Sequence, residues 1–185
     1  MMHNLNPIHK LSGIAQNQGI ESWADLIQYV RKLPYGRTSN RSDLSLVFSE
    51  QQGTCSSKHA LLKAVANENK IADVRLILCI YKMNKINTPG IGNALSKHKI
   101  SYIPEAHCYL QIGPKKLDCT STEADLDRIK MDILEEIEIT PEQVGQFKID
   151  YHQAYLKGWL KREKLDLSFA EIWAIREQCI ANLSI

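Results

Sequence analysis

Residues 51–70 read QQGTCSSKHALLKAVANENK, and this stretch sets the local structure around one cysteine. Its apolar residues recur at the spacing of a single helix face: Ala60, Leu61, Ala64 and Val65. Glycine is unfavourable inside a helix, so we expect the helix to begin just after Gly53. Cys55 therefore falls in the first helical turn.

Cys55 is a candidate nucleophile because of this position. A helix N-terminus presents backbone N–H groups that lack intrahelical partners, together with a positive potential. Such an environment lowers a thiol pKa and favours the thiolate, which is the reactive form. The same N–H groups can stabilise an oxyanion once a carbonyl has been attacked. The alternative interpretation is a buried, unreactive cysteine at the start of a helix.

The segment that follows predicts a sheet. Residues 71–83 are apolar on both faces, which is typical of a central strand. Two further strand-like runs, at about 100–112 and 115–119, flank a turn at Gly113-Pro114 and predict an antiparallel hairpin. The connection over residues 84–99 is long and irregular, and we expect it to line a substrate cleft.

The predicted hairpin brings a histidine and an aspartate together. His107 lies in its first arm and Asp118 lies 11 residues later in its second arm. With the turn at Gly113-Pro114 the two residues are expected nearly opposite each other, within hydrogen-bonding reach. A carboxylate there would orient the imidazole and stabilise imidazolium. A purely structural His–Asp pair is the alternative.

Helices are predicted both before and after the strands along the chain. Residues 1–19 are polar and are expected to form a loosely attached arm. A helix is expected to follow Ser22, which is a suitable N-cap. The last third, from residue 120 onward, is predicted helical on three capping boxes: Thr120–Glu123, Thr140–Gln143 and Ser168–Glu171. Helices, then strands, then helices predict an α+β fold.

Three short motifs in this order resemble the transglutaminase-like superfamily of papain-related thiol enzymes. The segments that carry the resemblance are Gly53-Thr54-Cys55, His107-Cys108-Tyr109 and Asp118-Cys119-Thr120. It covers about residues 22–122. We therefore expect an N-terminal arm at 1–19, a transglutaminase-like catalytic core at 20–122 and a helical C-terminal extension at 123–185.

The resemblance implies a mechanism as well as a fold. Cys55 would be the nucleophile, His107 the base and then the acid, and Asp118 the orienting carboxylate. The helix bearing Cys55 would pack on a small antiparallel sheet. The reaction implied is attack on an amide carbonyl, followed by release of the acyl-enzyme to water or to an amine. No metal and no cofactor are required.

The sequence departs from the superfamily pattern at two positions. Cys119 stands where proline is usual, and His59 stands one helical turn after the nucleophile, where a small residue is usual. At i+4 His59 shares a helix face with Cys55, so it is either a second imidazole near the thiol or a partly exposed residue. Gln51 and Gln52 precede the nucleophile and are candidate oxyanion donors, or else solvated loop residues.

Composition limits the classes of partner. The net charge of +2 is too small to require a nucleic-acid partner. No apolar run is long enough for a membrane span. The N-terminus lacks the apolar core of a signal peptide, so five cysteines indicate reduced thiols and a cytoplasmic protein. The spacing of cysteine and histidine matches no structural zinc site, so we expect no metal.

Two classes of function follow. The first is a thiol enzyme that acts on a peptide or a small amide, with hydrolysis and acyl transfer both left open. The second is a catalytically idle binding or assembly module in which the triad is vestigial. The sequence leaves open a homo-oligomer formed through the C-terminal helices.

Overall fold

The computed structural model describes residues 3–183, and in this range the fold is α+β. Its strands form one sheet in the order β3-β2-β1-β4. They are β1 (Val74–Met83), β2 (Ile103–Ile112), β3 (Lys115–Leu117) and β4 (Ile133–Ile139). The helices are α1 (Lys10–Asn17), α2 (Trp23–Lys32), α3 (Leu46–Ser49), α4 (Cys55–Glu68), α5 (Gln146–Glu163) and α6 (Phe169–Leu183). None of these helices is long and apolar enough to cross a membrane.

The prediction of a central strand is confirmed. β1 lies between β2 and β4, and eight of its ten residues are buried. A strand flanked on both sides and covered on both faces excludes polar side chains, which explains its nearly continuous apolar sequence.

The predicted hairpin is also confirmed. β2 and β3 pair antiparallel, with Leu110 opposite Leu117 and Ile112 opposite Lys115. Gly113 has a φ of +54°, as the first central residue of a type II′ turn requires, and Pro114 has the fixed negative φ suited to the second. This turn fixes the register of the whole hairpin.

Both edges of the sheet carry charge, with opposite signs. β3 contributes Lys115 and Lys116 at one edge, and β4 contributes Glu135, Glu136 and Glu138 at the other. Charged side chains on edge strands disfavour pairing with a strand from another molecule.

The prediction of a helix from Thr120 through residue 133 is wrong. Residues 126–128 and 130–132 form 3₁₀ turns, and residues 133–139 form β4. The acidic and apolar residues at 136–139 alternate with period two, which favours a strand. Pairing with β1 satisfies the backbone groups of that strand. The extension that the sequence predicts as helical therefore contributes a strand to the sheet.

The segment at residues 3–19 differs from the loosely attached arm that the sequence predicts. It contains α1, which packs against α4. The Ser12 hydroxyl, which is fully buried, donates a hydrogen bond to the Glu68 carboxylate at 2.6 Å. Two buried apolar side chains, Leu5 and Ala15, anchor the segment further.

The described chain divides into two compact units. Unit 1 contains residues 3–78, 108–126 and 137–145, and unit 2 contains residues 79–107, 127–136 and 146–183. In unit 1, α4 contacts α1, α2, α3 and the 3₁₀ turn Pro141–Val144. Its residues from Cys55 to Leu62 are all buried, as expected of a helix at the centre of a core.

A buried ion pair lies in the core of unit 2. Arg176 of α6 binds the Glu105 carboxylate of β2 through two guanidinium nitrogens, and Nε donates at 2.7 Å. His152 of α5 lies 3.9 Å from the same carboxylate and contacts the Pro104 carbonyl oxygen through Nε2 at 2.8 Å. Burial alone would raise the pKa of Glu105, but the charge of Arg176, the nearby His152 and the hydrogen bonds from Arg176 together outweigh it and lower that pKa to about 2.

The ion pair gives a stability prediction. Glu105→Gln removes the charge partner of a buried guanidinium and should lower the free energy of unfolding by about 3–5 kcal/mol. Glu177→Gln is the matched control, because Glu177 pairs with the same arginine but is 34% exposed. It should cost about 1 kcal/mol or less in urea unfolding at neutral pH.

The pH dependence of the stability follows from the direction in which the pKa of Glu105 is shifted. The pKa of Glu105 is lower in the folded protein than in the unfolded chain, so the unfolded chain binds more protons as the pH falls. The stability from this carboxylate is therefore complete above about pH 4.5 and is lost as the pH approaches about 2. The difference in the free energy of unfolding between the wild type and Glu105→Gln should become smaller as the pH falls through that range. A difference that stays constant with pH would contradict this account.

Candidate active site

The N-terminus of α4 is closed by a reciprocal cap. The Thr54 N–H donates to Ser57 Oγ at 2.9 Å, and the Ser57 N–H donates to Thr54 Oγ1 at 3.4 Å. Cys55 is the first residue of the helix, as predicted, and it is 6% exposed. The thiol therefore lies where backbone N–H groups have no partner within the helix.

Gly53 is required by the close approach of a lysine side chain. A Cβ atom at this position would lie 2.8 Å from Lys58 Cγ and 3.1 Å from Ser57 Oγ. The backbone of Gly53 is meanwhile fixed, because its N–H donates to the Pro34 carbonyl oxygen at 3.2 Å and its carbonyl accepts from the Gly36 N–H at 3.3 Å. The glycine of the G-x-C motif thus makes room for Lys58.

His59 is fully buried, which differs from the partly exposed position considered above. Its Nε2 accepts a hydrogen bond from the Cys119 backbone N–H at 2.7 Å. Its Nδ1 lies 2.7 Å from the Cys55 carbonyl oxygen, which can only accept. The two partners therefore fix a neutral imidazole with its proton on Nδ1. Both ring nitrogens are engaged, so this ring is not arranged to donate to an oxyanion.

Asp118 follows the last residue of β3. The observed register pairs Leu110 with Leu117, so the next pair along the hairpin would be residue 109 with Asp118. His107 is therefore two residues away from the position opposite Asp118 at which the sequence analysis expects it. The carboxylate accepts a hydrogen bond from the Thr120 N–H at 2.8 Å. The same oxygen, Oδ1, lies 3.6 Å from His59 Nε2. Asp118 thus lies beside an imidazole of α4.

Lys58 is a residue that the sequence analysis missed. Its side chain has no solvent exposure, and Nζ donates to the Leu33 carbonyl oxygen at 2.5 Å and to the Thr120 carbonyl oxygen at 2.7 Å. Burial lowers the pKa of Lys58 to about 8, although nearby acidic groups, Cys119, Asp118 and Cys55, oppose this shift.

A signal for Lys58 was present in the sequence. Counted in helical steps, Lys58 is three residues after Cys55 and four before Leu62, so it shares a helix face with two residues that are buried in the structure. A lysine on such a face is usually assumed to extend to solvent. Only the three-dimensional structure shows that two carbonyl oxygens receive its ammonium group.

The other cysteines provide a contrast to Cys55. Burial, together with the Asp118 carboxylate, raises the pKa of the Cys119 thiol to about 12. Burial and Glu105 raise the pKa of the Cys179 thiol to about 11. Both remain protonated at neutral pH and are poor nucleophiles. No disulfide joins any of the five cysteines, all of which lie within the described range.

His107 lies on β2 in unit 2, whereas Cys55, His59 and Asp118 lie in unit 1. The imidazole is partly buried and lies edge-on to the Tyr81 ring, with 6.2 Å between ring centroids. Unit 1 thus contains the nucleophile candidate, the second imidazole and the carboxylate that is a candidate for orienting the base. The participation of His107 stays a prediction.

The two glutamines before the nucleophile differ in what their amides bind. Gln51 Nε2 donates to the Tyr29 hydroxyl at 2.6 Å and to the Phe48 carbonyl oxygen, which uses both amide protons. Gln52 Nε2 donates to the Arg37 carbonyl oxygen at 2.9 Å. The Gln52 side chain also hydrogen-bonds the Glu50 carboxylate, so the amides of both glutamines are engaged within the protein.

No cluster of three or more potential metal ligands occurs among residues 3–183. No family model, curated protein or solved structure matches the chain. The resemblance to the transglutaminase-like superfamily therefore stays a prediction from the three motifs.

The hydrogen bonds of His59 predict its tautomer. In the ¹⁵N NMR spectrum of the protein at neutral pH, Nδ1 of His59 should have the chemical shift of a protonated nitrogen and Nε2 that of an unprotonated one. His59→Gln provides the assignment. The opposite tautomer, or an imidazolium, would contradict the geometry, because neither leaves an acceptor for the Cys119 N–H.

Proposed function

We propose that this protein is a thiol enzyme that acts on amide or peptide bonds through an acyl-enzyme intermediate. One observation carries the proposal. Cys55 is the first residue of a capped 14-residue helix, and one imidazole of that helix binds both the Cys55 carbonyl and the backbone beside Asp118. This common frame supports the proposal that Cys55 is the nucleophile and that Asp118 is the orienting carboxylate.

In the proposed mechanism, His107 removes the proton from Cys55 Sγ and becomes imidazolium. The thiolate then attacks the carbonyl carbon of the substrate, and the carbonyl π electrons move to oxygen. Backbone N–H groups in the first turn of α4 stabilise this oxyanion. Its collapse breaks the C–N bond, and His107 protonates the departing amine. A thioester on Cys55 remains.

The second half of the reaction releases the acyl group. His107, neutral again, removes a proton from water or from an amine, which attacks the thioester. Collapse of this second tetrahedral intermediate returns the thiolate and the imidazolium. Asp118 orients His107 and stabilises its charge in both halves. Water gives hydrolysis, and an amine gives acyl transfer, with a peptide or a small amide as the acyl donor in both cases.

A reducing compartment such as the cytoplasm suits this chemistry, because the nucleophile must stay a free thiol. The positively charged ammonium of Lys58 suits it as well. It lies near enough to Cys55 and Asp118 to interact with both electrostatically.

A second candidate function is a catalytically idle binding or assembly module. Two observations favour it. Cys55 is only 6% exposed, and the Asp118 carboxylate lies 3.6 Å from His59. In this alternative, Asp118 and His59 would stabilise the fold, and Cys55 would be an ordinary buried thiol.

Site-resolved alkylation distinguishes the two functions. With iodoacetamide and mass spectrometry, Cys55 should react fastest of the five cysteines at about pH 6, because a lowered pKa would give it the largest thiolate fraction there. His107→Ala should shift the alkylation profile of Cys55 towards that of an ordinary thiol, with a pKa of about 8.5. Asp118→Asn should shift it in the same direction.

Cys119 and Cys179 are the internal controls, since their raised pKa values predict slow reaction at every pH below about 8. If Cys55 reacts as slowly as these two, or ignores the loss of His107, the enzyme proposal fails and the idle module is favoured.

A further inference from the structure

Two adjacent side chains of α4 hold the segment that contains Asp118. His59 accepts a hydrogen bond from the Cys119 N–H, and Lys58 donates one to the Thr120 carbonyl oxygen. We call Lys58 and His59 the α4 clamp. The clamp binds backbone atoms of the segment, so its hydrogen bonds do not depend on the side chains at positions 119 and 120.

α4 binds residues 119 and 120, and Arg31 of α2 binds the carbonyl oxygens of Ser121 and Thr122 just beyond them. β3 ends at Leu117, so residues 118–120 lack strand pairing from that element. The Thr120 hydroxyl is the one buried side-chain oxygen or nitrogen among residues 3–183 without a hydrogen-bond partner. The backbone N–H of Thr120 donates a hydrogen bond to the Asp118 carboxylate in a local turn. The position of the Asp118 carboxylate therefore follows the position of a backbone that α4 holds.

The same clamp reaches the nucleophile. His59 Nδ1 binds the Cys55 carbonyl oxygen at 2.7 Å, so a single rigid ring separates that carbonyl from the Cys119 amide. Lys58 adds a positive charge whose neighbours include Asp118 and Cys55. Its other acceptor is the carbonyl oxygen of Leu33, the C-cap of α2, so the ammonium is bound by two separate elements.

Burying an ammonium group is costly, and the core has apolar side chains of similar length to offer instead. The presence of a lysine at this position therefore indicates a role for its charge and its hydrogen bonds. The two carbonyl oxygens that it binds belong to the C-cap of α2 and to the segment after β3. It joins these elements at the nucleophile's end of α4.

We propose that Lys58 and His59 are positioning residues that set the Asp118 carboxylate relative to Cys55 and thereby determine the reactivity of the thiol. This inference rests on the proposed function, and it adds to the predicted triad two residues that act through Asp118 without touching the substrate.

The first test measures the clamp independently of any reaction. Hydrogen exchange of the Cys119 and Thr120 amides should accelerate at least about tenfold in Lys58→Met and in His59→Leu, because a lost hydrogen bond lowers the free energy of local opening. His59→Gln retains an acceptor for the Cys119 N–H and should restore part of the protection. Unchanged exchange in these variants would overturn the clamp.

The second test measures positioning through the pH profile of Cys55 alkylation. Lys58→Met and His59→Leu should each slow alkylation of Cys55 at about pH 6 by about tenfold, the effect of a one-unit rise in the pKa of the thiol. His59→Gln should recover part of the rate. Lys63→Met is the matched control. Lys63 lies on the same helix and donates to the Val74 carbonyl oxygen at 2.6 Å, but it has no bond to residues 118–120.

The outcomes separate the two proposals. If wild-type Cys55 titrates as an ordinary thiol and ignores His107→Ala, the proposed function fails, and the positioning role fails with it. If Cys55 is activated in the wild type but Lys58→Met and His59→Leu leave its profile unchanged while they remain folded by circular dichroism, only the present inference fails. A faster amide exchange with an unchanged profile would show a merely structural clamp and would also overturn the positioning role.

Discussion

His59 joins two backbone groups from a position with no exposure to solvent, and the geometry of the candidate site depends on this ring. Because the Cys55 carbonyl can only accept and the Cys119 amide can only donate, the ring must be neutral and must carry its proton on Nδ1. A protonated ring would lose its acceptor. A smaller side chain would leave both groups without this partner in a core where an unsatisfied polar group costs about 1–3 kcal/mol. The start of α4 and the end of the hairpin are therefore held in one arrangement.

Lys58 and Gly53 extend this arrangement. Glycine leaves the space through which the lysine side chain passes, and the ammonium group binds carbonyl oxygens of α2 and of the segment after β3. The G-x-C motif can thus be read physically in this chain. The glycine accommodates a neighbouring side chain, and the cysteine receives the electrostatic environment of a capped helix N-terminus.

Much of the fold could be predicted from the sequence, because its signals are local. The start of α4 after Gly53, the two-sided burial of β1 and the turn at Gly113-Pro114 follow from backbone preference and apolar pattern. The capping signal at Thr120–Glu123 predicts a helix through residue 133, but pairing with β1, which a local signal cannot reveal, makes residues 133–139 a strand. The bond from Lys58 to the Thr120 carbonyl and the bond from the Cys119 amide to His59 could not be predicted, because these partners lie about 60 residues away in the chain and become neighbours only when the sheet and α4 form.

The central claim is that Cys55 is held as a thiolate near neutral pH. Its most direct test is the pH titration of thiolate ultraviolet absorbance, taken as the difference between the wild type and Cys55→Ser, and repeated in the His107→Ala background. The account predicts a midpoint at least about one unit below the ordinary thiol pKa of about 8.5, and a rise towards that value when His107 is removed. A wild-type midpoint at or above about 8.5, unaffected by His107→Ala, would contradict the claim.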